Sequence, residues 1–465
     1  MNGPLVTGLV RPAPRRALVL GAVAANVALV AVLAGLPGSV ALLFALVIVG
    51  PLVVGALSAL IVRPQRGILV LAALMPYDGL NEVIPFPAGW KEALVILVLG
   101  TTLVAPEEAR GAPGRRLPHW APILAAFAVL GLVSAVAVGG TQGLVGLKTG
   151  YFYVLIAVAL WRCPLSFRER DRLVTIIMVN GVVTAAFGIV QQVLGHARLN
   201  ELGWEYNTTI RFAGGWFLRS FSTFNQPFPF ALYLMLAILI GIPIALTDPS
   251  RRRNRLFLFT LPVLVLALAF TITRAGWLGL AVGVAYLALT KYRVLALPLA
   301  HFVIIGVVAL VLVTSYSSAF LSRSSSEERF DVWRQNTSQI TSHPLGVGIG
   351  ASGSAAEKTA EVEGRLERDD VEILQPDNYY FKTALELGVI GLWLFVLLLV
   401  TTFSAANSAA ARLHGVDAAL ASGVAAMVLG AAAVSFVATY FEIFPLEAHF
   451  WLLLGVVATC VSESP

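Results

Sequence analysis

Apolar runs of membrane-spanning length recur along almost the whole chain, with polar connections between them. A helix needs about 20 apolar residues to cross the hydrocarbon core of a bilayer. The pattern therefore predicts an all-α polytopic membrane protein with about 12–14 transmembrane helices. The runs lie at residues 17–36, 39–62, 67–84, 90–105, 119–138, 148–161, 173–194, 228–246, 255–272, 275–290, 294–314, 380–402, 415–438 and 446–461.

The helix count depends on residues 67–105, where two of the runs are short. The sequence "MPYDGLNEV" interrupts the first of them, and residues 90–105 barely reach spanning length. These two runs form either two crossings or one re-entrant pair. Residues 17–36 follow basic residues and are long enough to span, so we expect a retained first helix and no cleaved signal peptide.

Composition and charge support the membrane assignment. Hydrophobic residues make up 58% of the 465 residues and charged residues 12%, about half the charged fraction that a soluble domain carries. The net charge of +6 could suggest a nucleic-acid partner. Most of the excess arginine lies in short connections between apolar runs, which is a topology signal, so no nucleic-acid partner is expected.

Arginine is concentrated in every second connection, as in "RRRNR" at 251–255. By the positive-inside rule these connections and both termini face the cytoplasm. The long connections 195–227 and 315–379 then face outside. We divide the chain into N-terminal helices (1–194), a helical region with its outer loop 195–227 (195–314), a large extracytoplasmic loop (315–379) and C-terminal helices (380–465).

The large outer loop is expected to contain helices and a glycine turn. Ser325 and Glu328 form a capping box that predicts a helix over 325–343, ended by Pro344. A second, charged helix is predicted near 354–370. The sequence "GVGIGASG" at 346–353 lacks the Lys-Ser/Thr of a phosphate-binding loop, so its glycines predict a tight chain reversal.

Two arginines occupy positions at membrane depth where a permanent charge is expensive. Arg274 lies where two apolar runs meet with almost no loop, and Arg219 stands just before another apolar run, with Arg211 nearby. Asn225 and Gln226 follow Arg219 and can hydrogen-bond. Each arginine alone is explained by contact with lipid headgroups or an acid. Together on one side they favour a shared anionic ligand, because arginine binds phosphate oxygens through a planar fork.

Polar residues also begin the apolar run at 380–402. Asp377 is either the N-cap of that helix or a general base, and Asn378 could share the cap. Tyr379 and Tyr380 are read as aromatic residues of the membrane interface, with a substrate contact as the alternative for Tyr379. The histidines show no metal-ligand spacing, so the sequence predicts no metal site.

Three segments together resemble the bacterial O-antigen ligase and O-antigen polymerase superfamily of membrane glycosyltransferases. They are "RSFSTFNQPFPFALYL", "TITRAGWLGL", and "RFDVWRQNTSQITSHPLGVGIG" followed by "PDNYYFKTALELGVIGL". The resemblance covers roughly residues 200–400. The resemblance rests on the order, spacing and topology of the three segments more than on any one motif.

The resemblance implies an inverting enzyme without metal or cofactor, acting at the outer face of the bacterial inner membrane. It would move a glycan from undecaprenyl pyrophosphate to an acceptor hydroxyl. The family's paired arginines correspond to Arg219 and Arg274. Ligases carry a histidine at the position of Asp377, so the aspartate is more similar to the polymerase branch. The expected partners are the lipid-linked donor, a glycan or lipid acceptor, membrane lipids and other polysaccharide-assembly proteins.

A mechanism can be assigned to these residues as a hypothesis. Arg219 and Arg274 neutralise the leaving diphosphate, and Asp377 takes the proton of the acceptor hydroxyl. Asn378 and Tyr379 orient the sugar or the carboxylate. Further candidate substrate contacts are Arg211, Asn225, Gln226, Arg329 and Arg334, and the alternative carboxylates are Glu328, Asp331 and Glu386.

Several other functions fit parts of the pattern. A polymerase is preferred, with an O-antigen ligase or a protein O-oligosaccharyltransferase as alternatives. A transporter or flippase for a lipid-linked solute would also need many helices and intramembrane cations. Transporters commonly show internal repeats, and none is evident here, so the large outer loop favours an enzyme.

Overall fold

The computed structural model describes residues 59–84, 89–111, 117–204, 211–212, 217–301, 334, 337–365 and 374–463, and residues 64–465 form one compact unit. The described part is mainly helical, with one hairpin of β1 (Arg211–Phe212) and β2 (Phe217–Leu218). This confirms the all-α class. The helices are α1 Gln65–Leu74, α2 Trp90–Val104, α3 Ala121–Val138, α4 Gly140–Tyr151, α5 Val154–Arg162, α6 Phe167–Glu201, α7 Pro227–Thr247, α8 Arg252–Phe270, α9 Arg274–Thr290, α10 Gly353–Val362, α11 Tyr379–Arg412, α12 Gly415–Val434 and α13 Leu446–Glu463.

Six of these helices are long and apolar enough to cross a membrane, namely α3, α6, α7, α8, α11 and α12. The pair α4 and α5, bent by 54°, could form one more span, and α9 and α13 are apolar but shorter. The polytopic membrane class is therefore confirmed for the described residues. The predicted runs 17–36, 39–62 and 294–314 fall wholly or mostly outside them, so the total of about 12–14 helices stays a prediction.

The arginine-rich connections meet at one end of the helix bundle, which we call the arginine-rich end. Arg170 Nη2 lies 2.9 Å from Asp417 Oδ2, joining the starts of α6 and α12. Lys291, just after α9, donates to the carbonyl of Ala410 near the end of α11 at 3.2 Å. The connections that alternate in the sequence are therefore grouped in space.

The opposite end contains the N-termini of α7, α9 and α11. The Tyr379 N–H donates to Ser435 O at 2.8 Å, which joins the start of α11 to the end of α12. The Ser220 N–H donates to Phe270 O at 2.9 Å, which joins the segment before α7 to the end of α8. The segments that carry Arg219, Arg274 and Asp377 therefore share this end.

The helices α1 and α2 connect the two ends. Gln65 Nε2 donates to Ala109 O at 3.0 Å and Pro164 O at 3.2 Å, at the arginine-rich end. The carbonyl of Pro76 accepts from Thr223 Oγ1 at 2.6 Å, at the opposite end. The chain thus runs from one end to the other and back over residues 65–109.

Helix α7 lies at the centre of the bundle and is buried almost throughout. Glycines on its neighbours let the backbones approach closely. A Cβ added at Gly283 would lie 2.5 Å from Leu239 of α7, and one at Gly430 would lie 2.9 Å from the carbonyl of Gly279. Small residues at helix contacts are the usual device of membrane bundles, where packing replaces the hydrophobic driving force.

Helix α11 is interrupted at Gly388, where φ is +69° and ψ is −171°. The glycine-rich segment of the outer loop docks into this break. The Val347 N–H donates to Leu385 O at 2.8 Å, and the Val389 N–H donates to Pro344 O at 3.0 Å. The predicted chain reversal is present, since Gly346, Gly348, Gly350 and Gly353 all have positive φ.

The helices of the large outer loop agree only partly with prediction. Helix α10 ends at Val362, whereas the charge pattern predicted a helix near 354–370. Residues 337–342 are helical and the helix ends before Pro344, as predicted. Most of the remaining predicted helix over 325–343 lies outside the described residues.

Candidate active site

Arg219 and Arg274 lie side by side at the opposite end. Arg219 Nε donates to Thr271 O at 3.2 Å and Nη2 donates to Thr273 Oγ1 at 3.4 Å, and Arg274 is the exposed first residue of α9. Burial lowers the pKa of Arg219, and the positive charge of Arg274 lowers that pKa further. Two neighbouring guanidinium groups at a helix N-terminus are an arrangement that can attract an anion.

Both segments that carry the arginines contain a strained residue. Among the described residues, the non-glycine residues with positive φ are Ser222 at 56° and Ile272 at 51°. For a β-branched residue such as Ile272 this conformation is a genuine outlier. Strain of this kind, which costs on the order of 1–3 kcal/mol, persists where surrounding structure holds it and is concentrated at functional sites.

The segment 219–226 is held by helix α6. Gln191 Oε1 accepts from the backbone N–H of Ser222 at 2.7 Å, and Gln191 Nε2 donates to Ser222 O at 3.0 Å. Ser222 Oγ donates to Thr184 O at 2.6 Å. The side chains of Gln191 and Ser222 therefore stabilise the strained turn and position Arg219.

Asn225 and Gln226, at the end of the same segment, are exposed and line a cleft of about 260 Å³. The cleft contains two ion pairs, Lys91 to Asp78 at 2.6 Å and Lys148 to Glu92 at 2.8 Å. Burial lowers the pKa of Lys358 on its rim, and the charges of Lys148 and Lys91 lower that pKa further. The other lining residues are Gly79, Thr149, Tyr153, Phe224, Pro229, Ser354, Glu442, Ile443, Phe444, Pro445 and Glu447.

A buried ion cluster lies beneath this cleft, and sequence reasoning missed it. Lys382 Nζ contacts Glu386 Oε1, lies 2.9 Å from Glu442 Oε1, and donates to Ser352 O at 2.9 Å. Ser352 Oγ donates to Glu386 Oε1 at 2.8 Å. We call these four residues the Lys382 cluster. The signal in the sequence is the charge pair of Lys382 and Glu386, at i and i+4 inside an apolar run. The sequence pattern pointed only to Glu386, as an alternative base.

At the start of α11, Asp377 and the residues that follow it have different environments. The N-cap is Asn378, whose Oδ1 accepts from the N–H groups of Tyr380 at 2.8 Å and Phe381 at 3.1 Å. The alternative in which Asp377 caps the helix is therefore wrong. Asp377 is exposed, takes part in none of the described ion pairs, and keeps a free carboxylate at the opposite end.

Asn378 and Tyr379 are less accessible than predicted. Asn378 is 4% exposed and its carbonyl oxygen is used by the cap. Tyr379 is 6% exposed and packs against Phe395 and Phe441, with ring centroids 4.9 and 5.4 Å away. A position in the membrane-interface belt is therefore wrong for Tyr379, because the residue is part of the core.

The predicted site residues thus fall into three groups. Arg219 and Arg274 are together, Asn225 and Gln226 face the cleft, and Asp377 with Asn378 and Tyr379 begins α11. The backbone of Arg211 lies in β1, Arg334 is exposed on the outer loop, and Arg329, Glu328 and Asp331 lie outside the described residues.

Within the described residues, no group of three or more His, Cys, Asp or Glu side chains could hold a metal ion.

Fold and site together define an all-α polytopic membrane protein with a cationic site at one end of its helix bundle. The O-antigen ligase family model matches residues 256–396, which include Arg274 and Asp377. An O-antigen polymerase from Salmonella muenchen is 33% identical over 86 residues, which are 18% of this chain and 19% of that relative. Both matches support the O-antigen ligase and polymerase superfamily, so the resemblance is confirmed at that level.

Proposed function

We propose that the chain is an inverting, metal-independent glycosyltransferase that moves a glycan from undecaprenyl pyrophosphate to an acceptor hydroxyl. The observation that carries this proposal is the juxtaposition of Arg219 and Arg274. A diphosphate is an anion whose charge and multiple oxygens suit two adjacent planar guanidinium forks. The superfamily match supports an enzyme of this type.

The reaction is a single displacement. The acceptor oxygen forms a bond to the anomeric carbon as the bond from that carbon to the diphosphate oxygen breaks. Negative charge grows on the departing diphosphate, and the two arginines stabilise that charge more in the transition state than in the ground state. The contacts of Gln191 and Thr184 with the turn at Ser222 support a fixed position for Arg219 before substrate binds.

The proton of the acceptor hydroxyl goes to a general base, for which Asp377 remains our assignment. Its carboxylate is exposed at the end of the bundle that carries the arginines. A positioned base contributes about 10²–10⁴-fold. Replacing Asp377 with Asn should lower turnover within that range and leave donor binding unchanged, and full activity in this variant would remove Asp377 from the mechanism.

The site is proposed to face the outside of the bacterial inner membrane. The arginine-rich end, with contacts such as Arg170 to Asp417, would face the cytoplasm by the positive-inside rule. The opposite end would then meet a lipid-linked donor at the outer leaflet. Both termini are assigned to the cytoplasm on the same basis.

A polymerase is preferred over a ligase. The name of the similar Salmonella protein is O-antigen polymerase, and Asp377 stands where ligases carry a histidine. A deletion strain separates the two activities. Loss of a polymerase leaves single repeats on the acceptor, whereas loss of a ligase leaves full-length polymer unattached.

The decisive experiment removes the arginine pair. Arg219→Ala and Arg274→Ala should each lower glycan transfer by about 10²–10³-fold, because each removes a charge that stabilises the leaving group. The matched control is Arg198→Ala, which alters an exposed arginine near the end of α6 that pairs with Glu201 at 2.6 Å. The readout is the length distribution of surface glycan, with membrane insertion measured in parallel. Normal glycan length in the Arg219→Ala/Arg274→Ala double variant would reject the proposal.

A further inference from the structure

The cleft beside the arginine pair has no part in the chemistry proposed above. We propose that this cleft binds the sugar rings of a glycan through their hydroxyl groups, as a carbohydrate site distinct from the diphosphate site. The assignment of this glycan as the transferred chain or as the acceptor rests on the proposed function. The volume of about 260 Å³ is close to the lower end of the range for ligand pockets, about 300–1,000 Å³.

The cleft offers hydrogen-bond acceptors that have no donor. Glu447 is 2% exposed, and its Oε1 has no hydrogen-bond partner. Trp451 Nε1 approaches Glu447 from one helical turn away without reaching hydrogen-bond geometry. Glu92 Oε2 is likewise buried without a partner, although Glu92 Oε1 binds Lys148. Two such oxygens in one wall can accept from the O–H or N–H donors of a ligand.

A purely structural role does not account for Glu447. An acidic residue in the first turn of a helix is favoured by the helix dipole, and Glu447 lies in the first turn of α13. A solvated side chain would satisfy that role at less cost. Instead the carboxylate is buried and forms part of the wall of the cleft. The helix dipole does not explain this orientation.

Donors line the same cleft. The amide groups of Asn225 and Gln226 are exposed to it, and Lys358 adds an ammonium group at the rim. Lys91 and Lys148 are already held by Asp78 and Glu92. The wall therefore carries both donors and acceptors. A sugar hydroxyl can donate and accept at once, so it suits both kinds of group.

Aromatic side chains complete the wall. The rings of Tyr153 and Phe444 pack with centroids 5.2 Å apart, and Lys91 Nζ lies 4.2 Å from the centroid of Phe444. Both rings line the cleft, together with Phe224. These rings add apolar surface to a mainly polar wall, and that surface suits the C–H face of a sugar ring.

One continuous segment links Arg219 of the arginine pair to the wall of the cleft. Arg219 begins this segment, and Phe224, Asn225 and Gln226 end it in the wall of the cleft. Helix α6 holds the segment through Gln191. A sugar bound in the cleft would therefore be fixed relative to a diphosphate on the arginines.

The test uses two probes on the full-length chain in detergent. One is the oligosaccharide released by mild acid from the surface polysaccharide of the producing strain, which has sugars but no diphosphate. The other is undecaprenyl pyrophosphate, which has the diphosphate but no sugar. Kd for each probe is measured on Asn225→Ala, Lys358→Ala, Glu447→Gln and Arg274→Ala. Asn200→Ala is the matched control, since Asn200 is an exposed amide at the same end.

Asn225→Ala and Lys358→Ala should each weaken oligosaccharide binding by about fivefold to tenfold, with no change for undecaprenyl pyrophosphate. Glu447→Gln should do the same, and the two exposed variants keep the test valid if Glu447→Gln fails to fold. Asn200→Ala should leave both Kd values unchanged. Arg274→Ala should show the reverse pattern, with only undecaprenyl pyrophosphate weakened.

Two results would overturn the cleft assignment. One is oligosaccharide binding that none of the three cleft variants changes, and the other is no binding at about 10 mM oligosaccharide. Undecaprenyl pyrophosphate that binds equally well to Arg274→Ala would instead count against the proposed function. In that case a carbohydrate site in the cleft would stand.

Discussion

The arginine pair and the Lys382 cluster differ in the groups that contact their positive charges. Lys382 is fully enclosed, and two carboxylates together with Ser352 meet its charge. Arg219 donates to the uncharged oxygens of Thr271 and Thr273, and its neighbour Arg274 carries the same charge. A buried cation that contacts carboxylates is typical of a structural role, whereas neighbouring cations at one end of a bundle are typical of a ligand site.

Position in the bundle supports this distinction. The Lys382 cluster joins three separated parts of the chain, since Ser352 comes from the glycine turn and Glu442 from the connection between α12 and α13. Arg274 is exposed, and none of the described carboxylates forms an ion pair with it. Mutations should therefore affect stability at one region and turnover at the other.

The largest expected effect on stability comes from Lys382→Met. Removing the cation leaves Glu386 and Glu442 buried together without a counter-charge, which should cost about 3–5 kcal/mol. The Tm of the detergent-solubilised chain measures this loss. Lys358→Met, at a lysine on the rim of the cleft that takes no part in the cluster, is the control and should leave Tm unchanged.

The Lys382→Met/Glu386→Gln/Glu442→Gln triple variant makes the comparison sharper. It removes all three charges, and it should recover most of the lost stability because no uncompensated ion remains. If Lys382→Met has the same Tm as the wild-type chain, the cluster does not carry the structural role assigned to it.

Arg274→Lys should have the opposite profile. The charge is kept, but the planar fork that can hold two phosphate oxygens is lost, so transfer should fall by about 10²-fold. Tm should not change, because Arg274 is exposed at the start of α9. Arg198→Lys is the control. Unchanged transfer in Arg274→Lys would mean that point charge alone is sufficient and that bidentate contact is not used.

The link between the outer loop and the membrane helices depends on Gly388. At this residue φ is +69°, and an added Cβ would lie 2.4 Å from Pro344 O. Gly415 has a similar φ of +58° but nothing within 4 Å of an added Cβ. Gly415→Ala should therefore lower the free energy of unfolding only by the cost of a left-handed backbone, about 1–2 kcal/mol. Gly388→Ala should lower it by about 2 kcal/mol more. Equal Tm values for the two variants would show that the docking of the loop is not tight.

The fold could be predicted where a single segment determines its own environment. A run such as 228–246 must be helical in lipid because every backbone group needs an internal partner, and α7 covers it. The grouping of arginine-rich connections follows in the same way from the cost of moving charge across a membrane. The break of α11 at Gly388 could not be predicted, because it depends on pairing with the distant residues 344–348.

The candidate site was predictable only in part, for a similar reason. Arg219 and Arg274 were found because a permanent charge at membrane depth is unusual in any context. The carboxylates of Glu442 and Glu447 lie in an ordinary polar connection and a helix start. Only tertiary packing brings them to the cleft beside Asn225. Tyr379 was misjudged because the sequence does not show which side of a helix start faces the core.

The smallest expected effect separates two adjacent residues at the start of α11. Asn378→Ala removes an N-cap that accepts two backbone N–H groups, and it should lower stability by about 1 kcal/mol. Asp377→Ala should leave Tm unchanged, because Asp377 is exposed and is not the cap. The two variants should therefore differ in two measurements. Asn378→Ala should lower Tm, and Asp377→Ala should lower transfer. A loss of Tm in Asp377→Ala would show that this carboxylate stabilises the helix start, and any loss of transfer could then no longer be assigned to proton removal.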